Sequence, residues 1–342
     1  MGGDHGPPVT VAGAALALER MAGRDLRFLL HGDEAALTAE LARHKAIAGR
    51  CEVRASTSVI AMDEKPAKAL RGGKGSSLWN AVDAVRRGEA QAAVSAGNTG
   101  ALMAISRYQL KMVQGLERPA IVASWPTPRG FTTVLDVGAN VESDATELVE
   151  FAILGEAFYR AVHGGARPSI GLLNVGAEEA KGHQEVKEAA KLLREIDLDL
   201  NFVGFVEGND IARGTVDVVV TDGFTGNVAL KTAEGMARFF STTLREALTS
   251  STSAKAGALL ASGALKRLKN QLDPSTVNGG PLLGLKGVVV KSHGGADAKG
   301  TANAIRIAAD LATSRYVEEI SANMARLLSA IALQQPISAE TV

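Results

Sequence analysis

Short apolar runs recur along the chain. Each is closed by a small-residue turn and followed by a stretch whose apolar residues advance by three or four. The clearest runs read LRFLLHGD, AAVSAGNTG, AIVASWP, TTVLDVGAN, SIGLLNVGAEE, NFVGFVEGND, VDVVVTDGFTG and GVVVKSHGG. Continuous runs rich in Val, Ile and Leu predict strands buried on both faces, as in a parallel sheet. The stretches between them are long enough for helical crossovers, so the alternation predicts an α/β sandwich. The stripe Ile305, Ala309, Ala312, Tyr316, Ile320, Met324, Leu327 and Ile331 predicts one long closing helix.

Residues 240–285 break this rhythm, and no strand is predicted there. A Ser/Thr-rich joint leads into a helical segment with Leu265, Leu268 and Leu272 on one side. Lys266, Arg267 and Lys269 are interleaved on the other, and DPSTVNGGP follows as a loop. The expectation is a single domain over 1–342 with a helical excursion at 240–285.

Composition narrows the class. The 342 residues are 46% hydrophobic, enough for a sizeable core, and the 37 glycines suit many tight turns. Lys+Arg and Asp+Glu are both 37, so no basic excess argues for nucleic acid. The single cysteine, Cys51, cannot form an internal disulfide and fits a reducing compartment. It reads as a buried strand residue, since nothing basic beside it would depress its pKa. No leader pattern and no apolar run of about 18 residues is seen, so a soluble intracellular protein is expected.

In open parallel sheets, ligands bind outside the carboxyl ends of strands. Asn98 and Thr99 stand at such an end, at the start of a helix whose free N–H groups and dipole favour an anion. Asp136 and Asn140 lie on a similar bend. Asp222, Thr225 and Asn227 occupy a Gly-bracketed loop, with Lys231 about one turn into the next helix. Lys291, Ser292 and His293 directly follow a strand, and Asp4 and His5 sit between Gly3 and Gly6. Read as sharing one mouth, these loops offer backbone donors, two lysines, an imidazole and few carboxylates, which suits a phosphate or other anion.

Structural readings stand beside these. Asn98 and Thr99 also fit a helix cap, Asp144 with Glu147 a capping box, and Lys231 a solvated surface position. There is no G-x-G-x-x-G, Walker A, G-x-S-x-G or H-E-x-x-H pattern. The six histidines are scattered, so no metal is expected. The residues alone therefore reach an α/β enzyme handling a small anionic ligand.

The pieces MGGDHGP, SAGNTGALMA, LDVGANVE, LLNVGAEEAKG, DVVVTDGFTGNVALKTAEG and GGPLLGLKGVVVKSHGGAD, with NAI after them, run in order from residue 1 to about 310. Together they resemble the fatty acyl-ACP:phosphate acyltransferase (PlsX) family of bacterial phospholipid synthesis. The resemblance implies a three-layer α/β/α Rossmann-like sandwich, similar to phosphotransacetylases and isocitrate/isopropylmalate dehydrogenases. It implies that acyl-ACP and inorganic phosphate give acyl phosphate and free ACP, with no organic cofactor. It further implies a cytoplasmic homodimer, peripheral on the membrane, that feeds a membrane glycerol-3-phosphate acyltransferase. In the family an apolar strand such as ALDA precedes MGGDHGP, so the chain as read is expected to start late.

Set against that chemistry, Lys231 and Lys291 are candidates to clamp phosphate, Asn227 to hold the oxyanion and His293 to protonate the leaving sulfur. Asp4, His5, Asn98, Thr99, Asp136, Asn140, Asp222, Thr225 and Ser292 are candidate substrate contacts. Leu265, Lys266, Arg267, Leu268 and Lys269 are candidates for membrane or ACP contact; an ordinary surface or interface helix is the alternative. A phosphotransacetylase-like enzyme using short-chain acyl-CoA, a decarboxylating dehydrogenase of the related fold and a non-catalytic scaffold remain as rivals.

Overall fold

The computed structural model describes residues 1–165, 167–271 and 273–334. The strands are β1 (Phe28–Gly32), β2 (Cys51–Ala55), β3 (Ala92–Ser95), β4 (Ala120–Thr127), β5 (Gly130–Leu135), β6 (Ser169–Leu173), β7 (Asn201–Val206), β8 (Val218–Val220), β9 (Gly280–Leu283) and β10 (Val288–Lys291). Every predicted run overlaps one of them. Eight form a sheet in the order β3-β10-β9-β4-β5-β8-β6-β7, while β1 and β2 pair separately in parallel. A cavity of about 1160 Å³ lies between β1 and β3, with Leu30, Leu78 and Ala93 in its lining.

The sheet is covered on both faces, and the strands show it residue by residue. Val218 and Val220 pack into the cluster under helix Ala145–His163, with Phe151, Leu154 and Phe158. Val219 points the other way, to Val134 and Ile211. In β10, Val288 and Val290 take the first face and Val289 the second, against Leu102 and Ile105 of helix Thr99–Leu110. A strand buried on both sides needs an unbroken apolar run, which is why these segments do not alternate with polar residues. The layers are therefore helix, sheet, helix.

Three expectations need correction. The sheet is mixed: β4 is antiparallel to β5 and to β9, and β9 is antiparallel to β10. The stretch 240–285 does hold a strand, β9, whose Leu282 and Leu283 are buried. Pro281 and its neighbouring glycines had masked it, since Pro gives no N–H to a ladder. The closing helix is two, Ala298–Thr313 and Tyr316–Gln334. Ser314 turns extended between them (ψ 171°), donating its hydroxyl to the Leu311 carbonyl and accepting from Tyr316 N.

The excursion itself comprises the later part of helix Gly223–Thr249, then helices Thr252–Leu260 and Ser262–Gln271. Leu272, expected on its apolar side, lies outside the described residues. Among the described residues no helix is long and apolar enough to cross a membrane.

Candidate active site

β3 and β10 are parallel neighbours with Lys291 opposite Ser95, so their carboxyl ends open side by side. The N-terminal loop closes against them: Asp4 N donates to the Gly294 carbonyl at 2.9 Å. Gly2 lies so near Gly97 that a Cβ there would sit 2.6 Å from the Gly97 Cα, which only glycine avoids. Lys291 Nζ donates to the carbonyls of Ser292 and Ala96. Burial pulls its pKa down to about 8, with the nearby Asp4 carboxylate opposing the shift. This half-buried cation lies two residues before His293; His293 and His5, the residue after Asp4, are both exposed. His293 Nδ1 accepts from Gly295 N at 3.1 Å, so in the neutral ring the proton sits on Nε2.

Asn278, in the DPSTVNGGP loop before β9, organises this edge. Its Nδ2 donates to Ser292 Oγ and to the Gly300 carbonyl, each at 2.8 Å, and its Oδ1 accepts His293 N at 2.8 Å. Its own carbonyl accepts from Asn303 Nδ2 at 2.9 Å. Ser292 is buried and faces Asn278. Asn98 is also turned inward. Its Oδ1 caps helix Thr99–Leu110 through Ala101 N, and its Nδ2 donates to the carbonyls of Ala61, Met62 and Glu64. Thr99, at the first helical position, is exposed.

A second constellation surrounds the carboxyl ends of β5 and β8. Asp136 is fully buried, and its carboxylate accepts from the backbone N–H groups of Ile121, Gly138, Ala139 and Asn140 and from Asn140 Nδ2. Burial raises its pKa while those donors lower it. Asn140 Nδ2 also donates to the Pro119 carbonyl. Asp136 and Asn140 thus hold the loop's shape, which changes their expected role from substrate contact to positioning. Asp222 caps helix Gly223–Thr249, accepting from Thr225 N and Thr225 Oγ1 at 2.8 Å. That helix docks so closely that a Cβ on Gly226 would overlap the Asp136 carbonyl oxygen. Asn227 lies against Gly138, and its residue is exposed. Lys231 is exposed and ion-paired with Glu234 at 2.8 Å.

The two constellations do not share one mouth. Because β10 is antiparallel to β9, β9 to β4, and β4 to β5, the β3–β10 pair runs opposite to β5, β8, β6 and β7. Lys291 and His293 therefore leave the sheet at one edge, and Asp136 and Asp222 at the other. Four strand steps also separate β10 from β8, roughly 19 Å at the usual spacing. The expectation of a single mouth lined by Lys231 and Lys291 is corrected for one chain. It failed because it assumed an all-parallel sheet.

In the excursion, Lys266 and Arg267 are exposed, while Leu265 and Leu268 are half-buried. Lys269 lies within helix Ser262–Gln271, its side chain outside the described set. The larger apolar exposure is at Leu259 and Leu260, 76% and 90% exposed, outside the Leu265–Lys269 segment expected to make the contact.

The sequence model of a family described as "Fatty acid synthesis protein" matches residues 1–319. A protein of Caulobacter vibrioides named "Phosphate acyltransferase" is 65% identical over 97% of this chain and 92% of its own length. Proteins with the same name from Phenylobacterium zucineum and Maricaulis maris are 58% and 56% identical, over 99% and 96% of this chain and 96% and 94% of their own lengths. Among solved structures, a phosphotransacetylase from Streptococcus pyogenes superposes with a TM-score of 0.61 at 18% identity, covering 90% of this chain and 91% of that one. The EutD phosphotransacetylase of Staphylococcus aureus gives 0.58 at 15%, over 90% and 92%. These two share the fold.

Proposed function

The chain belongs to the fatty acid synthesis protein family, and on that premise we propose that it is a phosphate acyltransferase converting fatty acyl-ACP and inorganic phosphate to acyl phosphate and free ACP. The observation that carries the reading in this molecule is Lys291. It is a cation drawn out of water at a strand end and hydrogen-bonded to the carbonyls of Ser292 and Ala96, with the exposed His293 two residues on and helix Thr99–Leu110 starting three residues after Ala96. Such a place attracts a phosphate oxyanion.

A substantial fraction of inorganic phosphate is dianionic near neutral pH and already nucleophilic, so no strong base is required. One phosphate oxygen attacks the thioester carbonyl carbon. The C–O bond forms, the C–S bond breaks, and the sulfur leaves as a thiolate that takes a proton. Lys291 holds the phosphate charge and fixes the attacking oxygen near the carbonyl. Nε2–H of His293 is suited to protonate the sulfur or to donate to the developing oxyanion.

The same reading extends to the protein's surroundings. It acts as a homodimer, peripheral on the membrane, and hands acyl phosphate to a membrane glycerol-3-phosphate acyltransferase. Support for membrane contact comes from Leu259 and Leu260. They stand on an excursion that carries Lys255, Lys266, Arg267 and Lys269 and no acidic residue between Thr249 and Gln271.

The test measures thiol release from palmitoyl-ACP with and without phosphate, beside acetyl-CoA. Phosphate-dependent release from palmitoyl-ACP is expected. Release that ignores phosphate sinks the proposal, and preference for acetyl-CoA gives the molecule instead the short-chain chemistry of its fold neighbours.

A further inference from the structure

We infer that the exposed cationic side of helix Pro66–Gly72, beside the Lys291 edge, is the docking surface for the acidic carrier protein that brings the acyl thioester. The inference rests on the acyltransferase reading for its partner. For its geometry it rests on where this helix is held.

The loop leading into the helix is fastened to the candidate site. Asn98 Nδ2 donates to the carbonyls of Ala61, Met62 and Glu64 at 3.2, 2.9 and 2.8 Å. A Cβ on Gly294, whose carbonyl accepts Asp4 N, would lie 3.3 Å from Met62 Cε. A Cβ on Gly100 would lie only 2.7 Å from Pro66 Cγ. The helix therefore begins against the first turn of helix Thr99–Leu110, next to the loop that follows β10.

The charge on this helix is one-sided. Lys65, Lys68 and Arg71 recur every three residues along its exposed side, while Ala69 packs inward. Lys74 lies just past the helix end and is exposed. Arg107 is exposed two turns beyond Gly100, on the helix against which Pro66–Gly72 packs. Among the described residues none of these five cations is ion-paired. Asp83 of the next helix is already held by Arg86 and Arg87. Asp63 and Glu64 precede the row and pair with none of it. Like charges three residues apart repel, so the row slightly weakens its own helix with no counter-charge inside the molecule. Val59 and Met62, each about half exposed, add apolar surface at the end nearest Lys291.

A basic row with an apolar end complements an acidic protein surface. Anionic lipid also meets basic rows, but it has no thioester to present. A carrier resting here has its arm at the Lys291–His293 edge, where the reading places the chemistry. Exposed ion pairs are individually weak and screened by salt. Such a row gives fast encounter and fast release, which suits a carrier exchanged at every turnover.

Binding of fluorescently labelled holo-ACP to the whole chain tests the surface without activity. Lys65→Glu/Lys68→Glu/Arg71→Glu is expected to weaken it about tenfold or more at low salt and to flatten its salt dependence. Lys255→Glu/Lys266→Glu/Arg267→Glu, in the excursion, should leave it unchanged. Replacing the first three cations by Gln should give a smaller loss in the same direction, and this set decides if the Glu set melts early. Unchanged carrier binding in the first set, or loss confined to the excursion set, overturns the inference. So does release from anionic vesicles with carrier binding intact, which would make the row a lipid contact.

Thiol release supplies the second readout. In the first set KM for octanoyl-ACP should rise about tenfold or more with kcat nearly unchanged. Phosphate-dependent release from the uncharged octanoyl N-acetylcysteamine thioester should stay at the wild-type level. Equal loss on both thioesters overturns the docking role. If wild-type protein releases no thiol from acyl-ACP, the acyltransferase reading has failed, and the binding measurement still judges the surface.

Discussion

The side-chain oxygen of Asn278 accepts the backbone N–H of His293 at 2.8 Å, tying the start of β9 to the end of β10. The same side chain donates to Ser292 Oγ and to the Gly300 carbonyl. It sets where the His293 ring stands without touching a reacting atom, which makes it a positioning residue.

Asn278→Ala leaves these partners without their mates, at about 1–3 kcal/mol of stability. It is expected to lower kcat at least tenfold with little change in KM for phosphate. Asn278→Asp keeps the acceptor for His293 N but loses both donors, so it should fall between. A variant whose melting temperature drops while kcat stays intact would leave Asn278 with a purely structural role.

Lys291 gives a pH signature. Its pKa is drawn down to about 8, so the ammonium is present at pH 7 and is lost as pH rises through about 8. KM for phosphate is expected to rise over that window. Lys291→Arg keeps the charge to higher pH and should flatten the rise, whereas Lys291→Met should show high KM throughout. Wild type and Lys291→Arg with the same alkaline limb would assign the limb to another group.

Most of the strands, though not β9, and the strand-end placement of most candidate residues were legible in the sequence, because runs such as VDVVV and GVVVK satisfy two buried faces at once. What was not legible was direction. Nothing in AIVASWP or GGPLLG distinguishes a parallel from an antiparallel neighbour, and that difference moves Asp222 to the edge opposite Lys291. The inward turn of Asn98 and Asp136 was hidden for a related reason. A polar residue after a strand looks alike whether it meets a ligand or its own chain's amides. Asn278 could have been suspected from its place before Gly279 and Gly280, but its partners at 292, 293 and 300 are contacts between segments.

Asp136 provides a stability test. Asp136→Asn preserves shape but turns an NH2 group toward backbone donors, in a site with no exposure. A loss of about 2–3 kcal/mol, with the loop around Asn227 loosened, is expected in urea unfolding. Because Asp136 orients the loop and not the substrate, any variant protein that stays folded should retain phosphate binding at Lys291. Loss of phosphate binding in folded Asp136→Asn would put that carboxylate in the anion site.

His163 should make the fold acid-sensitive. Its Nε2 lies 2.8 Å from Ser124 Oγ, and the ring stacks on Phe131 at 4.8 Å. Burial, aided by Arg306 and opposed by Asp310, holds its pKa down at about 4. The folded state therefore favours the neutral ring. That stabilisation is complete above the unfolded pKa of about 6.5 and is lost as pH falls toward 4, on the order of 2 kcal/mol. Urea midpoints at pH 7 and pH 4.5 should differ more for the wild type than for His163→Gln. Equal differences would remove His163 as the source.

Leu259 and Leu260 separate membrane contact from folding. Both side chains are open to solvent, and no residue of helix Thr252–Leu260 is buried, so replacing them by Glu should change stability by less than about 0.5 kcal/mol. In a bilayer interface each leucine is worth up to about 1.5–3 kcal/mol, and each Glu adds repulsion from anionic lipid. The double variant is therefore expected to bind anionic vesicles at least tenfold more weakly, at unchanged melting temperature and unchanged activity on soluble acyl-ACP. Leu265→Glu, made at a half-buried position, should destabilise the excursion as well as weaken binding. If the Leu259/Leu260 variant stays on vesicles while neutralising Lys266 and Arg267 releases it, the contact is electrostatic and the leucines lie off the membrane. If neither change matters, the excursion faces protein.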